Sequence, residues 1–133
     1  MAKFVTIGER LSTTAPAVNK AFTERDPEPI IKRAKQQLDA GATYLDVNIG
    51  PAENDGEDLM KWAVQLLQSE FDNVPLALDT TNKKAIEAGI SVYNRAKRKN
   101  RSLTLLMLVT ESQTSTLQQQ TMPSVSHFAL PVW

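Results

Sequence analysis

The sequence predicts an α/β fold in which parallel strands alternate with helices. Three observations lead there. Short apolar runs rich in β-branched residues recur between longer segments with helical spacing, the loops between them are brief, and the runs are apolar on both faces, as in a sheet covered on both sides. Crossovers between such strands are right-handed. Two architectures satisfy the pattern, an open doubly wound sheet and a β/α barrel. No GxGxxG or GxxxxGKS/T string follows any of the predicted strands, which weakens the nucleotide-binding open sheet. Periodicity alone leaves the choice open.

The elements follow in order. Lys3–Ile7 is short and β-branched and reads as a strand that Gly8 ends, with Glu9 and Arg10 at its carboxyl end. Ser12–Asn19 reads as a loop, with a short helix possible through Val18–Thr23. Asp26-Pro27 is a helix start, an acidic N-cap before a proline at the first helical position. Ile30, Ile31, Ala34 and Leu38 then recur on one helical face, and Gly41 stands where a terminating glycine belongs. Thr43–Ile49 is the second strand, broken by Gly50-Pro51. Asn54 or Asp55 can cap a second main helix, whose stripe is Leu59, Trp62, Ala63, Leu66 and Leu67. After the Asp72-Asn73 turn, Pro75–Leu78 is a third strand ending at Asp79. Thr80, Thr81 or Asn82 can cap the last helix, with Ala85, Ile86, Gly89, Ile90 and Tyr93 buried and Lys97–Lys99 in a final turn that suits the helix dipole.

Composition narrows the function. Fifteen basic and fifteen acidic residues balance, so no electrostatic case exists for nucleic acid or an anionic membrane. No apolar run approaches the roughly 18 residues of a membrane span, and MAKFVTIGER lacks the apolar core of a signal peptide. Cysteine is absent and His127 is the sole histidine, which excludes a disulfide framework and a His/Cys zinc site. A cytoplasmic chain is the expectation. The averages hide a break: every Lys and Arg and all acids but Glu111 lie in residues 1–101, while residues 102–133 are rich in Ser, Thr, Gln and Leu. The chain is therefore divided at residues 1–97 and 98–133.

Three strands finish in polar groups: Glu9 after the first, Asp46 and Asn48 in the second, Asp79 after the third. By alternation Asp46 and Asn48 share a face opposite Leu45, Val47 and Ile49. An inward-facing acid is costly unless something pairs with it, so this pair points to a site. In a barrel these strand ends would converge on one mouth. Plainer roles compete. Asp79 can simply cap the next helix, Glu9 can pair with Arg10 or Lys3, Trp62 and Tyr93 sit at packing positions, and Asn54-Asp55 suits a cap better than a ligand.

These strings carry a resemblance. IGERLS at Ile7–Ser12, ERDPEPI at Glu24–Ile30, LDVNIGP at Leu45–Pro51 and LALDTTNKKAIEAG at Leu76–Gly89 resemble, in the same order, the opening of methyltetrahydrofolate:corrinoid protein methyltransferases. These are related to the folate domain of cobalamin-dependent methionine synthase and to dihydropteroate synthase. The resemblance covers roughly residues 4–97. It implies a truncated TIM-type (β/α)8 barrel, comprising the first three βα units with parallel strands, followed by a non-family tail. It also implies methyl transfer between methyltetrahydrofolate and the cobalt of a cobalamin carried by a partner corrinoid protein. No metal would be bound by this chain. Asp79 resembles the acid that anchors the pterin, a carboxylate accepting ring N–H donors in a fork. Asp46 and Asn48 match polar positions lining the same cavity, and Glu9 matches the acid after the first strand. Full-length members are expected to be homodimers. A dihydropteroate synthase-like enzyme and a non-catalytic binding or assembly module are the alternatives; the former usually has a glycine-rich sequence where this chain has NIGPAENDG.

After about Ala96 the resemblance stops. The family would continue with a strand of the type INS or VNS, then a helix and a fifth strand. Here Leu103–Val109 suits a strand and the remainder has no barrel signature. One consistent codon choice for Asn100–Trp133, read in a neighbouring frame, yields a strand ending in Asn, a helix and another apolar strand. Met107, Met122 and Trp133, each with a single codon, all fit. The tail is thus expected to be a frame-shifted reading, with the slip near Lys97–Asn100. A chain of about three of the eight βα units is expected to be inactive alone and marginally stable, with an unpaired sheet edge.

Overall fold

A computed structural model describes residues 6–72 and 74–93, and the backbone of residues 105–108. The described elements are β1 (Ile7–Ser12), α1 (Pro16–Glu24), α2 (Pro27–Asp39), β2 (Tyr44–Asn48), α3 (Gly56–Glu70), β3 (Leu76–Asp79), α4 (Lys83–Val92) and β4 (Leu105–Leu108). The strands form one parallel sheet in the order β1-β2-β3-β4.

That order separates the two architectures. A doubly wound sheet reverses direction at a switch point and places helices on both faces. Here each described strand is added on the same side of the last, and with right-handed crossovers the helices between them fall on one face. α3 packs on α4, α2 reaches both α3 and β1, and α4 rests on β3. One-directional winding of this kind is the one a β/α barrel uses.

The predicted helices form for the reasons their sequences give. The Asp26 side chain accepts from the Glu28 N–H, with Pro27 at the first helical position. Asn82, rather than Thr80 or Thr81, caps α4: its side-chain oxygen accepts from the Ala85 N–H at 3.3 Å. Asp55 precedes α3 but makes no capping bond; its carboxylate instead meets Arg25 at 3.2 Å. Arg25 lies 5.8 Å from the Trp62 ring centre, and Phe22 meets that ring edge-on at 6.2 Å, so Trp62 packs as expected. The short helix expected over Val18–Thr23 is α1, longer at both ends.

The core lies between helices and sheet. Leu45, Val47, Leu76 and Leu78 point into it and meet Met60, Ala63, Val64, Leu67, Ala85 and Ile86. Each fully buried large apolar side chain contributes about 1.5–3 kcal/mol. Gly89 lets α4 close down: a Cβ there would stand 2.6 Å from Met60 Cγ and 2.9 Å from Leu78 Cδ1.

Two expectations need correction. The first strand runs over Ile7–Ser12 instead of stopping at Gly8, because β2 offers it a parallel partner as far as Asn48; residues 3–5 lie outside the described residues. Glu9 therefore sits within the strand. α4 stops at Val92, with Tyr93 in extended backbone, and Lys97–Lys99 lies outside the described residues. β4 falls within the Leu103–Val109 stretch that suited a strand, and pairs Leu76–Asp79 with Leu105–Leu108.

Candidate functional site

Side chains on the sheet face away from the helices are of a different kind. In-register pairing of β2 with β3 sets Asp46 beside Ala77 and Asn48 beside Asp79, while Leu45 and Val47 pair with Leu76 and Leu78 on the helix side. Strand alternation therefore brings Asp46, Asn48 and Asp79 to one face, at the carboxyl ends of neighbouring strands.

Hydrogen bonds fix the group. The Asn48 side-chain nitrogen donates to Asp79 Oδ2 at 2.9 Å, and its oxygen accepts from the Gly50 N–H at 2.9 Å. The amide orientation is thus set by two partners of opposite character. Beyond the strands, the Thr80 hydroxyl donates to the Gly50 carbonyl and accepts from the Asn82 N–H at 3.1 Å. The Asn82 side chain donates to the Ala52 carbonyl at 2.9 Å. The loop after β2 is therefore tied to the loop after β3 at the level of the acids. Sequence reasoning did not single out Thr80 and Asn82 for this; both were read as helix caps, and a side-chain bond to another loop leaves no local signal.

β1 joins the group through an irregularity. Gly8 pairs with Leu45 and Leu11 with Val47, so Glu9 and Arg10 together face the single residue Asp46. Such a bulge is uncommon between parallel strands and re-aims the side chains it carries.

Asp46 is the most strained member electrostatically. It is only 6% exposed, and among the described residues its Oδ1 has no hydrogen-bond partner. Burial, then the charges of Asp79 and Glu9, push its carboxyl up to about 7. Asp79 is also raised, chiefly by burial; the Asn48 bond opposes this and Glu9 adds to it. All four residues predicted from sequence are thus mutually close. They form a face rich in acceptors, with one acid poised to hold or release a proton near neutral pH. Asp79 does not cap α4.

An open cavity of about 280 Å³, flanked by Thr6, Gln37 and Gly41, lies along the edge strand. It shares Glu9 with the acid face but includes neither Asp46 nor Asp79. Among the described residues no group of three or more His, Cys, Asp or Glu is arranged to hold a metal ion. No described helix is long and apolar enough to cross a membrane.

Two comparisons bear on this face. The sequence model of the pterin binding enzyme family matches residues 8–118. That span takes in all of β2, β3 and β4 and all of β1 but Ile7, and extends beyond residue 97. A curated relative, the methylcorrinoid:tetrahydrofolate methyltransferase of Eubacterium limosum, is 36% identical over 84 residues. The aligned part is 63% of this chain and 31% of that protein, so the chain matches about a third of the relative's length.

Proposed function

The chain belongs to the family of pterin binding enzymes, and from that premise we propose that its acid-bearing sheet face holds the pterin ring of a tetrahydrofolate. The reaction served is methyl transfer between that folate and the cobalt of a corrinoid on a separate protein. The observation that carries the reading is the in-register Asn48–Asp79 hydrogen bond beside the buried Asp46, on the face turned away from the helices.

The roles follow from the donors and acceptors. A reduced pterin presents an amino group and ring N–H groups along one edge. Asp79, oriented by Asn48, accepts them in a fork and fixes the ring in its plane. Asn48 gives one N–H to Asp79 and accepts from the Gly50 N–H, and so serves to position Asp79. Asp46 lies deeper, and a carboxyl that titrates near neutrality can donate to a ring nitrogen when protonated or accept from it when ionised. Glu9, from β1, adds negative charge that keeps Asp46 protonated to higher pH. The corrinoid, when docked, supplies the metal centre that exchanges the methyl. This chain's residues contribute position and electrostatics, without a covalent intermediate. The remaining wall of the barrel would close over the same face.

The relative's name reads from methylcorrinoid to tetrahydrofolate; the acid face serves either direction, since it holds the ring and not the methyl. Calorimetric titration of the chain with tetrahydrofolate tests the reading. Binding that Asp79→Asn weakens supports it, and a folded chain that takes up no folate overturns it. For residues 98–133 we propose the frame-shifted reading set out above, which sequencing the gene through and past codon 133 tests; the absence of a barrel-coding frame there sinks it.

A further inference from the structure

We propose that Gln37 is a positioning residue: from the buried side of α2 it holds the β1 bulge that sets Glu9 opposite Asp46.

Four observations converge on this. Gln37 is a polar residue only 7% exposed, on a helix whose other buried residues are Ile30 and Ala34. An amide buried there costs stability unless it bonds. Its Oε1 accepts from the Arg10 N–H at 2.8 Å, and its nitrogen donates to the Arg33 carbonyl at 3.3 Å. Arg10 is one of the two residues crowded opposite Asp46, where a strand's own ladder is interrupted and an N–H needs another acceptor. The residue before the bulge is Gly8, and a Cβ there would come within 2.5 Å of Gln37 Oε1 and 3.2 Å of Gln37 Cβ. Gly8 thus leaves the room in which Gln37 reaches the bulge.

The consequence lies on the opposite face of the strand. Two residues over one turn Glu9 toward Asp46, where Asp79 on β3 is the other acid and Arg10 is the charged residue beside it in the bulge. Burial of Leu11 against the helices calls for the extra residue, and the Gln37 bond gives the backbone it displaces an acceptor and so holds its geometry. A regular strand would change the direction of every side chain beyond it. Gln37 touches no ligand in this arrangement; it acts through Glu9 and Asp46.

The inference deepens the pterin-site reading and rests on it for its meaning, but its test needs no folate. In the whole 133-residue chain, the Asp46 side-chain carboxyl is titrated by carbon-13 NMR in the unmodified protein, Gln37→Leu, Glu9→Gln and the double variant. Gln37→Leu and Glu9→Gln should each move the Asp46 midpoint downward from about 7, and the double variant should move it no further than Glu9→Gln alone. Gln37→Glu, which keeps an acceptor for Arg10, should lie closer to the unmodified chain than Gln37→Leu does. An Asp46 midpoint that Gln37→Leu leaves in place while Glu9→Gln lowers it overturns the proposal. Should Gln37→Leu not fold, hydrogen exchange decides: the Arg10 amide of the unmodified chain should be protected, and exchange at the open-chain rate overturns the assignment. A chain that passes these tests yet binds no folate would refute the pterin reading alone.

Discussion

The two faces of β2 and β3 are built from alternate residues of the same two short strands and behave as opposites. One set, Leu45, Val47, Leu76 and Leu78, is fully enclosed by helices. The alternate set, Asp46, Asn48 and Asp79, turns the other way and holds acids that burial has pushed toward protonation. The first face stabilises the fold. The second costs stability, because carboxylates beside one another in poor solvent are unfavourable unless a ligand or a proton relieves them. That expense is the physical ground on which the acid face is proposed above as the pterin site; the apolar face alone would have served a structural sheet.

The largest expected effect breaks the first face. Leu78→Ala should lower stability by about 2–5 kcal/mol in urea unfolding, because Leu78 is fully buried between sheet and α4. Folate affinity of the fraction still folded should stay the same. A loss of affinity without loss of stability would mean that the faces are not separate.

The second prediction uses pH. Asp46 goes from 3.8 to about 7 on folding, so the folded chain holds a proton that the unfolded chain releases between those values. Its contribution is therefore fully present below the lower value and lost as pH rises through the upper one. Asp79, also raised, adds in the same direction. At ~1.4 kcal/mol per unit the Asp46 share is at most about 4 kcal/mol. Thermal unfolding followed from acid to mildly alkaline pH should reveal the fall, and Asp46→Asn should flatten it. A stability that climbs with pH over that range contradicts the buried-acid picture.

Asp79→Asn sharpens the comparison from the ligand side. Losing one charged acceptor should weaken tetrahydrofolate binding by about 1.5–3 kcal/mol, read by calorimetry, with stability unchanged or slightly higher. The smallest effect is Asn82→Ala. It removes the α4 cap and the bond to the Ala52 carbonyl, and should cost ~1 kcal/mol with a modest loss of folate affinity through the loosened loop.

Whereas the cap of α4 stayed open among Thr80, Thr81 and Asn82, the alternation of strands and helices, the cap at Asp26, and the positions of Glu9, Asp46, Asn48 and Asp79 could all be read along the chain. They are local properties: a period of two or 3.6, a side chain next to its own backbone, a polar residue where an apolar run stops. The bulge in β1 could not be read, because it exists only against the register of β2 and is secured from α2. The Arg25–Asp55 pair and the Thr80 and Asn82 links are likewise contacts between segments about thirty residues apart in sequence.

What the sequence determined by itself is that neighbouring strands carry acids and which residues those are, since alternation follows from the geometry of an extended chain. Only the tertiary structure decided that the strands are added in one direction and in a register that sets Asn48 against Asp79. Strand order and register are fixed by which surfaces can be buried together, a choice made by the helices packing on the far side.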